Sequence, residues 1–281
     1  PVIGPVSMEM SQPGGSATIN GILYQILGVI HRAASIRLTA TKDSDDIVEA
    51  QLTIEPVGGG GDIRIHFPNR LLVEQWKAKS DRGTWSLQQV ISVVIPDLYL
   101  AVDNTHLDDH SEYRFVTEGR RGAWQVAQTF FRNLSRNSPP LDPLGSLDGT
   151  TKQLFFPDGL CTERELFLRI ADAVRQRRSI RDESEQLTYR KLWHLLARFD
   201  IVEECTQEYL RQQIHAFLRG VVDYREDLDA KRYELCGVIL ELAARSEVTI
   251  TPSDLLRRVG LNDQTVQNWS TLRANLADQL E

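Results

Sequence analysis

The sequence predicts an α/β fold in which a mixed sheet flanked by helices is followed by an all-helical second domain. In the first half, apolar residues recur first at helical spacing and then at every second position, as in strands. In the second half the spacing is helical, and a stretch rich in Pro and Gly separates the halves. We therefore expect a flexible N-terminus at 1–17, an α/β domain at 18–137, a linker at 138–160 and a helical domain at 161–281.

The α/β domain is predicted to run helix, three strands, helix, strand, helix, an order typical of a sheet covered on both faces. The three strands are separated only by a glycine run at 58–61 and a turn at Pro68, which favours an antiparallel meander. Pro96 predicts a kink or an early stop in the second helix. The predicted helices are 18–38, 85–102 and 124–134, and the predicted strands are 47–54, 62–67, 71–78 and 113–117.

The second half is predicted to contain helices only. The pair around 252–279 resembles helix-turn-helix, but its second helix carries Arg273 as its one basic residue, which disfavours a DNA-reading role. We expect that pair to pack within the protein or against a partner. The predicted helices are 162–178, 186–199, 206–224, 228–246, 252–259 and 263–279.

Composition restricts the classes of function. The chain of 281 residues has a formal net charge of −7, which counts against nonspecific coating of nucleic acid but not against a local basic cleft. No apolar run is long enough to cross a bilayer, so no membrane partner is expected. The three cysteines show no C-x-x-C pairing, which suits a reducing cytoplasm. The chain begins with Pro1 rather than Met, a start expected either of a trimmed chain or of a fragment of a longer protein.

The candidate catalytic residues are Asp62, Gln75 and Lys77. Side chains alternate along a strand, so Gln75 and Lys77 share one face, and a hairpin would bring Asp62 beside them. Lys77 can orient an attacking water or stabilise the charge that develops on a phosphate. An acid and a Gln-x-Lys on neighbouring strands also occur by chance on solvated strands. The surrounding helix, glycine turn and following helix and strand favour a site.

The same residues predict a divalent-cation site. Magnesium prefers oxygen ligands, and Asp62 and Gln75 each supply one. Glu55 would complete the metal shell, with Glu49 as the competing candidate. Gln25, on the first helix, is a supporting polar residue. The expected cofactor is Mg²⁺ or Mn²⁺.

Basic residues near this position are candidates for contacting DNA phosphates. They are Arg64, Lys79, Arg120 and Arg121. The last two lie between glycines at a strand-to-helix junction, where a phosphate contact and a solvated turn are both open interpretations.

The segments Tyr24-Gln25, Ile54-Glu55-Pro56, Gly60-Gly61-Asp62-Ile63 and 73–77 (Val-Glu-Gln-Trp-Lys) together resemble the restriction-endonuclease-like (PD-(D/E)xK) superfamily. More narrowly, they resemble the double-stranded-DNA nuclease domain of bacterial anti-phage effectors: the CBASS (cyclic-oligonucleotide-activated), STAND NTPase and HerA-associated types. The resemblance covers about residues 16–135. It implies Mg-dependent, sequence-tolerant cleavage of duplex DNA in the bacterial cytoplasm.

The resemblance also implies regulation, either by homo-oligomerisation or by a protein partner or fused NTPase or sensing module. The sequence departs from the family pattern at Gln75, where an acid is usual, although related branches also use Gln. A catalytically degenerate nuclease fold serving as an assembly subunit is therefore the alternative. A transcriptional regulator built on the C-terminal helices is a third, disfavoured class.

Overall fold

A six-stranded mixed sheet and a separate two-stranded hairpin are the described β-structure of the computed structural model. The structure describes residues 15–40, 50–54, 61–79, 83–102, 110–134, 139–147, 153–156, 159–176, 183–222, 226–245 and 248–261. The strands are β1 (Gln51–Ile54), β2 (Ile63–Phe67), β3 (Arg70–Lys77), β4 (Glu112–Thr117), β5 (Gln153–Phe156), β6 (Gly159–Thr162), β7 (Phe199–Val202) and β8 (Val248–Ile250).

Ten α-helical segments are described, and a π-helical turn at Val90–Val94 joins the second to the third. They are α1 (Gly15–Ala40), α2 (Leu87–Gln89), α3 (Ile95–Tyr99), α4 (Trp124–Phe131), α5 (Pro143–Leu147), α6 (Glu163–Arg175), α7 (Glu185–Arg198), α8 (Gln207–Arg219), α9 (Leu228–Ala243) and α10 (Pro252–Arg257). Among the described residues, no helix has the length and apolar character needed to cross a bilayer.

The strand order in the large sheet is β7-β4-β3-β2-β1-β8. β1, β2 and β3 form the predicted antiparallel meander, because the turn between β2 and β3 is too short for a crossover. β4 pairs parallel to β3, with α2 and α3 in the long connection between them, and β7 pairs parallel to β4. The predicted mixed sheet flanked by helices is therefore confirmed.

The prediction that the second half is all-helical is wrong for the described residues. β7 and β8 both lie in that half and extend the two edges of the sheet, with β8 antiparallel to β1. The predicted linker also contains α5, and the β5-β6 hairpin begins within it. Strands of three or four residues are too short to show a clear period, and Phe199 continues the apolar pattern of α7.

The helices cover the sheet in two offset layers. The first layer is α1, α8, α9 and α10, which pack on the face bearing Ile63, Leu72 and Trp76; we call it the α1 face. The second is α2, α3, α4, α6 and α7, on the face bearing Val73 and Phe115; we call it the α3 face. The core of the α3 face draws its sheet residues from β3, β4 and β7. On β1 and β2, which lie beyond that core, this face carries mainly polar side chains.

Candidate active site

Asp62, Gln75 and Lys77 lie together on the α3 face. β2 and β3 pair with Ile63 opposite Glu74, so Asp62, one residue earlier, lies opposite Gln75. Gln75 and Lys77 are two residues apart on β3 and therefore share that face. The cluster thus lies where the helical layer ends and the polar part of the sheet begins.

Backbone hydrogen bonds hold Asp62 in place. Its N–H donates to the carbonyl of Glu74 at 2.8 Å, and the N–H of Trp76 donates to its Oδ2 at 2.6 Å. Gly61 precedes it with φ +91°, and a Cβ there would lie 2.7 Å from Val73 Cγ1 and 2.9 Å from the Glu74 carbonyl oxygen. The last glycine of the run is therefore required by geometry, and it fixes the start of β2.

Gln75 carries a buried acceptor without a donor. The side chain belongs to a residue only 3% exposed, and its Nε2 donates to Asp97 Oδ2 at 2.8 Å. Its Oε1 accepts no hydrogen bond from any described residue. Leaving a buried acceptor unpaired costs about 1–3 kcal/mol, so a group that supplies positive charge to this oxygen would be bound favourably.

Asp97 is the residue of this cluster that sequence reasoning missed. Its Oδ2 lies 3.9 Å from Lys77 Nζ as well as within hydrogen-bond distance of Gln75. We call Asp62, Gln75, Lys77 and Asp97 the Gln75 cluster. The available signal was an acid directly after Pro96, inside a helix expected to pack on the sheet.

A π-helical turn precedes Asp97. The N–H of Ile95 bonds the carbonyl of Val90, five residues back, and the next residue is Pro96, which has no N–H to contribute. An extra residue in the turn rotates the next helical segment by ~100°, given 3.6 residues per turn. The kink predicted at Pro96 takes this form.

The other predicted ligands are not placed beside the cluster. Glu55 and Glu49 lie outside the described residues. Gln25 lies on α1, which covers the opposite face of the sheet, where Gly28 lies against the Trp76 ring. The structure therefore does not bring Gln25 onto the face of Gln75.

Lys79, Arg120 and Arg121, three of the predicted phosphate-contacting residues, bond to nearby segments of the protein. Lys79 Nζ donates to the Thr84 carbonyl at 2.9 Å and lies 4.6 Å from the Trp85 ring centroid. Arg120 and Arg121 form ion pairs of 2.9 and 2.6 Å with the acids of the β7-α8 segment. These acids are Glu204 and Glu203. The two arginines thus join that segment to the turn after β4.

Arg64 lies on the same face as Asp62, two residues further along β2. A groove beside it is also lined by His66 and Arg70. Partial burial, and then the charge of Arg64, lower the pKa of His66, which favours the neutral imidazole. Arg70 pairs with Glu112 at 3.3 Å and lies over the Phe67 ring, so its charge is matched within the protein.

A second polar cluster lies on the α1 face of the same strand. Glu74 is fully buried, with Oε2 2.7 Å from Arg32 Nε and Oε1 2.7 Å from Arg32 Nη2. The indole N–H of Trp76 donates to it at 3.2 Å, and Arg114 on β4 approaches to 3.8 Å. We call Arg32, Glu74, Trp76 and Arg114 the Glu74 cluster. It ties α1 to the sheet, and its acid is occupied by protein cations.

The Gln75 cluster has the oxygen donors that a hard divalent cation prefers. Two carboxylates and the Oε1 amide oxygen are grouped there, and the unpaired Oε1 fits a cation. Among the described residues no group of three or more His, Cys, Asp or Glu side chains is placed to hold a metal, so the donor set depends on the amide. In comparisons with known proteins, no family model matches the chain and no curated protein matches it.

Proposed function

We propose that this protein is a metal-dependent endodeoxyribonuclease of the restriction-endonuclease-like type that cleaves double-stranded DNA with little sequence preference. The observation that carries the proposal is the grouping of Asp62, Gln75 and Lys77 on the α3 face at the edge of the helical layer, with the buried Gln75 Oε1 unpaired among the described residues. Strand pairing and the Gly61 turn produce this grouping, so it does not depend on flexible side chains.

Asp62 and Gln75 would hold the cation, and Glu55 is proposed to complete its shell. A bound Mg²⁺ or Mn²⁺ polarises a phosphate and lowers the pKa of a coordinated water. Lys77 has a side chain that is 33% exposed, so its ammonium can reach a phosphate outside the sheet. In that position it donates to a phosphate oxygen and stabilises the charge that develops during attack.

The duplex is proposed to lie along the polar part of the α3 face. Arg64 contributes a guanidinium there, so phosphate contacts would extend along β2 from Asp62. With a formal net charge of −7, binding would depend on local basic residues of this kind. Lys79, Arg120 and Arg121 would act mainly by holding the segments to which they bond.

The resemblance extends the proposal to a role as an anti-phage effector in the bacterial cytoplasm, restrained by self-association or by a protein partner. Since β7 and β8 join the nuclease sheet, a signal received by the C-terminal half has a direct route to it. The Ile19 and Ile22 side chains are exposed on α1, a feature that suits a surface for another protein.

A degenerate fold that serves as an assembly module is the second candidate. The observation that favours it is the contact between Lys77 and Asp97, which occupies the ammonium, together with the neutral Gln75. In that case the chain would bind no cation at this cluster and would cut no DNA.

The test is cleavage of supercoiled plasmid in Mg²⁺ or Mn²⁺ by the protein and by Asp62→Asn and Lys77→Ala. We expect each substitution to reduce the rate by about 10²–10³, the effect of removing one charge-stabilising group. Asp172→Asn is the matched control, because it removes one exposed carboxylate from α6. Equal cutting by all four proteins would refute the proposed site. An absence of cutting by all, with no cation bound, would support the assembly module.

A further inference from the structure

The two strands give the proposed cation site little negative charge. Asp62 is the one carboxylate that the two strands contribute on the α3 face, because Gln75 is neutral and Glu74 points to the other face. Among the described residues, the two strands thus offer a divalent cation one carboxylate and one amide oxygen, which leave it a net positive charge. Asp97 is the described acid in contact with Gln75, and its carboxylate would add to the balancing negative charge.

The orientation of the Gln75 amide links that acid to the site. Its Nε2 donates to Asp97 Oδ2 at 2.8 Å, so its Oε1 points elsewhere and is the oxygen left without a donor. The residue is 3% exposed, so bulk solvent has little access to this oxygen. Asp97 therefore fixes the amide in the orientation that offers an oxygen to a cation.

The helix geometry is the second observation that points to Asp97. Its carboxylate lies near both Gln75 and Lys77, and the preceding π-helical turn sets the angle at which α3 presents it. π-Turns are uncommon and occur often at functional sites. A structural role would use the same contacts, the hydrogen bond from Gln75 and the 3.9 Å ion pair with Lys77, so the test has to separate a ligand from a structural partner.

We propose that Asp97 supplies the second carboxylate of the divalent-cation site, so that helix α3 provides the charge that strand β3 lacks at Gln75. This inference rests on the proposed function, since it concerns the same site. It adds a ligand from an element outside the strand pair, and it makes a bound cation dependent on the packing of α3 against the sheet.

The test measures Mn²⁺ binding to the full chain by the loss of the free-ion electron paramagnetic resonance signal, without DNA. We expect Asp97→Asn and Asp62→Asn each to weaken Mn²⁺ affinity by at least about tenfold, since even residues that only orient ligands contribute 10–100-fold. Asp172→Asn is the control for loss of one carboxylate, and thermal unfolding checks that each variant is folded.

A rescue variant separates a ligand from a structural partner. We expect Gln75→Glu to raise Mn²⁺ affinity by a larger factor in the Asp97→Asn background than in the otherwise unchanged protein, because the added carboxylate replaces a ligand only where Asp97 is absent; an equal gain in both backgrounds would show that Asp97 is only a structural partner. If Asp62→Asn weakens binding and Asp97→Asn does not, the inference is overturned while the proposed nuclease site stands. If the chain binds no Mn²⁺, or if neither substitution changes binding, both proposals fail.

Discussion

Glu74 and Gln75 are neighbours on β3, yet they face opposite layers of helices and meet different electrostatic surroundings. The buried Glu74 carboxylate contacts the Arg32 guanidinium through both oxygens and is approached by Arg114. The Gln75 amide contacts an acid and leaves an oxygen unpaired. The Glu74 charge is matched by a guanidinium within the protein and stabilises the fold, whereas Gln75 Oε1 has no counter-charge among the described residues and is where we propose a cation. The two clusters should therefore differ in what their loss affects.

The largest expected effect on stability comes from Glu74. Glu74→Gln should lower the free energy of unfolding by about 3–5 kcal/mol, because it leaves the partly buried Arg32 without a counter-charge. Asp97→Asn should change the free energy of unfolding by less than about 1 kcal/mol, since the ion pair between Asp97 and Lys77 is longer and more exposed. Urea unfolding followed by circular dichroism measures both.

Glu112→Gln is the control on the same face of the sheet. The Glu112 carboxylate pairs with Arg70 and Arg114, but its side chain is 38% exposed, so we expect the free energy of unfolding to fall by less than about 1 kcal/mol. A small loss for Glu74→Gln, or a loss of several kcal/mol for Asp97→Asn, would break the distinction between the two faces.

A smaller effect is expected where α1 meets the sheet. A Cβ at Gly28 would lie 2.6 Å from the Trp76 ring, so Gly28→Ala should destabilise by about 1–3 kcal/mol through overpacking. Gly21→Ala, on the same helix with open space around it, should instead stabilise by about 0.5–1 kcal/mol. Thermal unfolding compares the pair. Equal shifts for both variants would show that α1 does not pack this closely.

The last expected effect is a pH dependence of stability that belongs to the α1 face. Burial, and then Arg32, lower the pKa of His31 to about 4. The unfolded chain binds this proton near pH 6.5, so stability is fully present above that pH and falls as pH decreases toward 4. After allowance for partial exposure, the loss is about 1–2 kcal/mol. Urea unfolding between about pH 7.5 and about pH 4.5 should show a weaker decline for His31→Gln than for the unchanged protein. An equal decline in stability for the two proteins would contradict the lowered pKa of His31.

Much of the sheet could be predicted because its signals are local. Alternation in 62–67 and 71–78 and the short turn at Pro68 determined the hairpin, and the hairpin determined that Asp62 and Gln75 would meet. β7 and β8 could not be predicted in this way. A strand of three or four residues has no readable period, and it becomes a strand because an edge of the sheet offers it hydrogen bonds.

The site residues also differ in whether local sequence signals could identify them. Asp62, Gln75 and Lys77 could be selected from type and spacing, whereas Gln25 was placed with them although α1 covers the other face. Asp97 was missed because its approach to Gln75 depends on the π-turn and on how α3 packs. Neither feature has a signature in spacing along the chain.

The sequence by itself determined the strand meander and the faces on which Glu74 and Gln75 point, because both follow from alternation and from turns within a few residues. Only the tertiary structure decided which helices cover each face, which strands complete the sheet, and which charges meet Glu74 and Gln75. Those outcomes depend on contacts between residues far apart in the chain, whose distances are set by packing of the whole core.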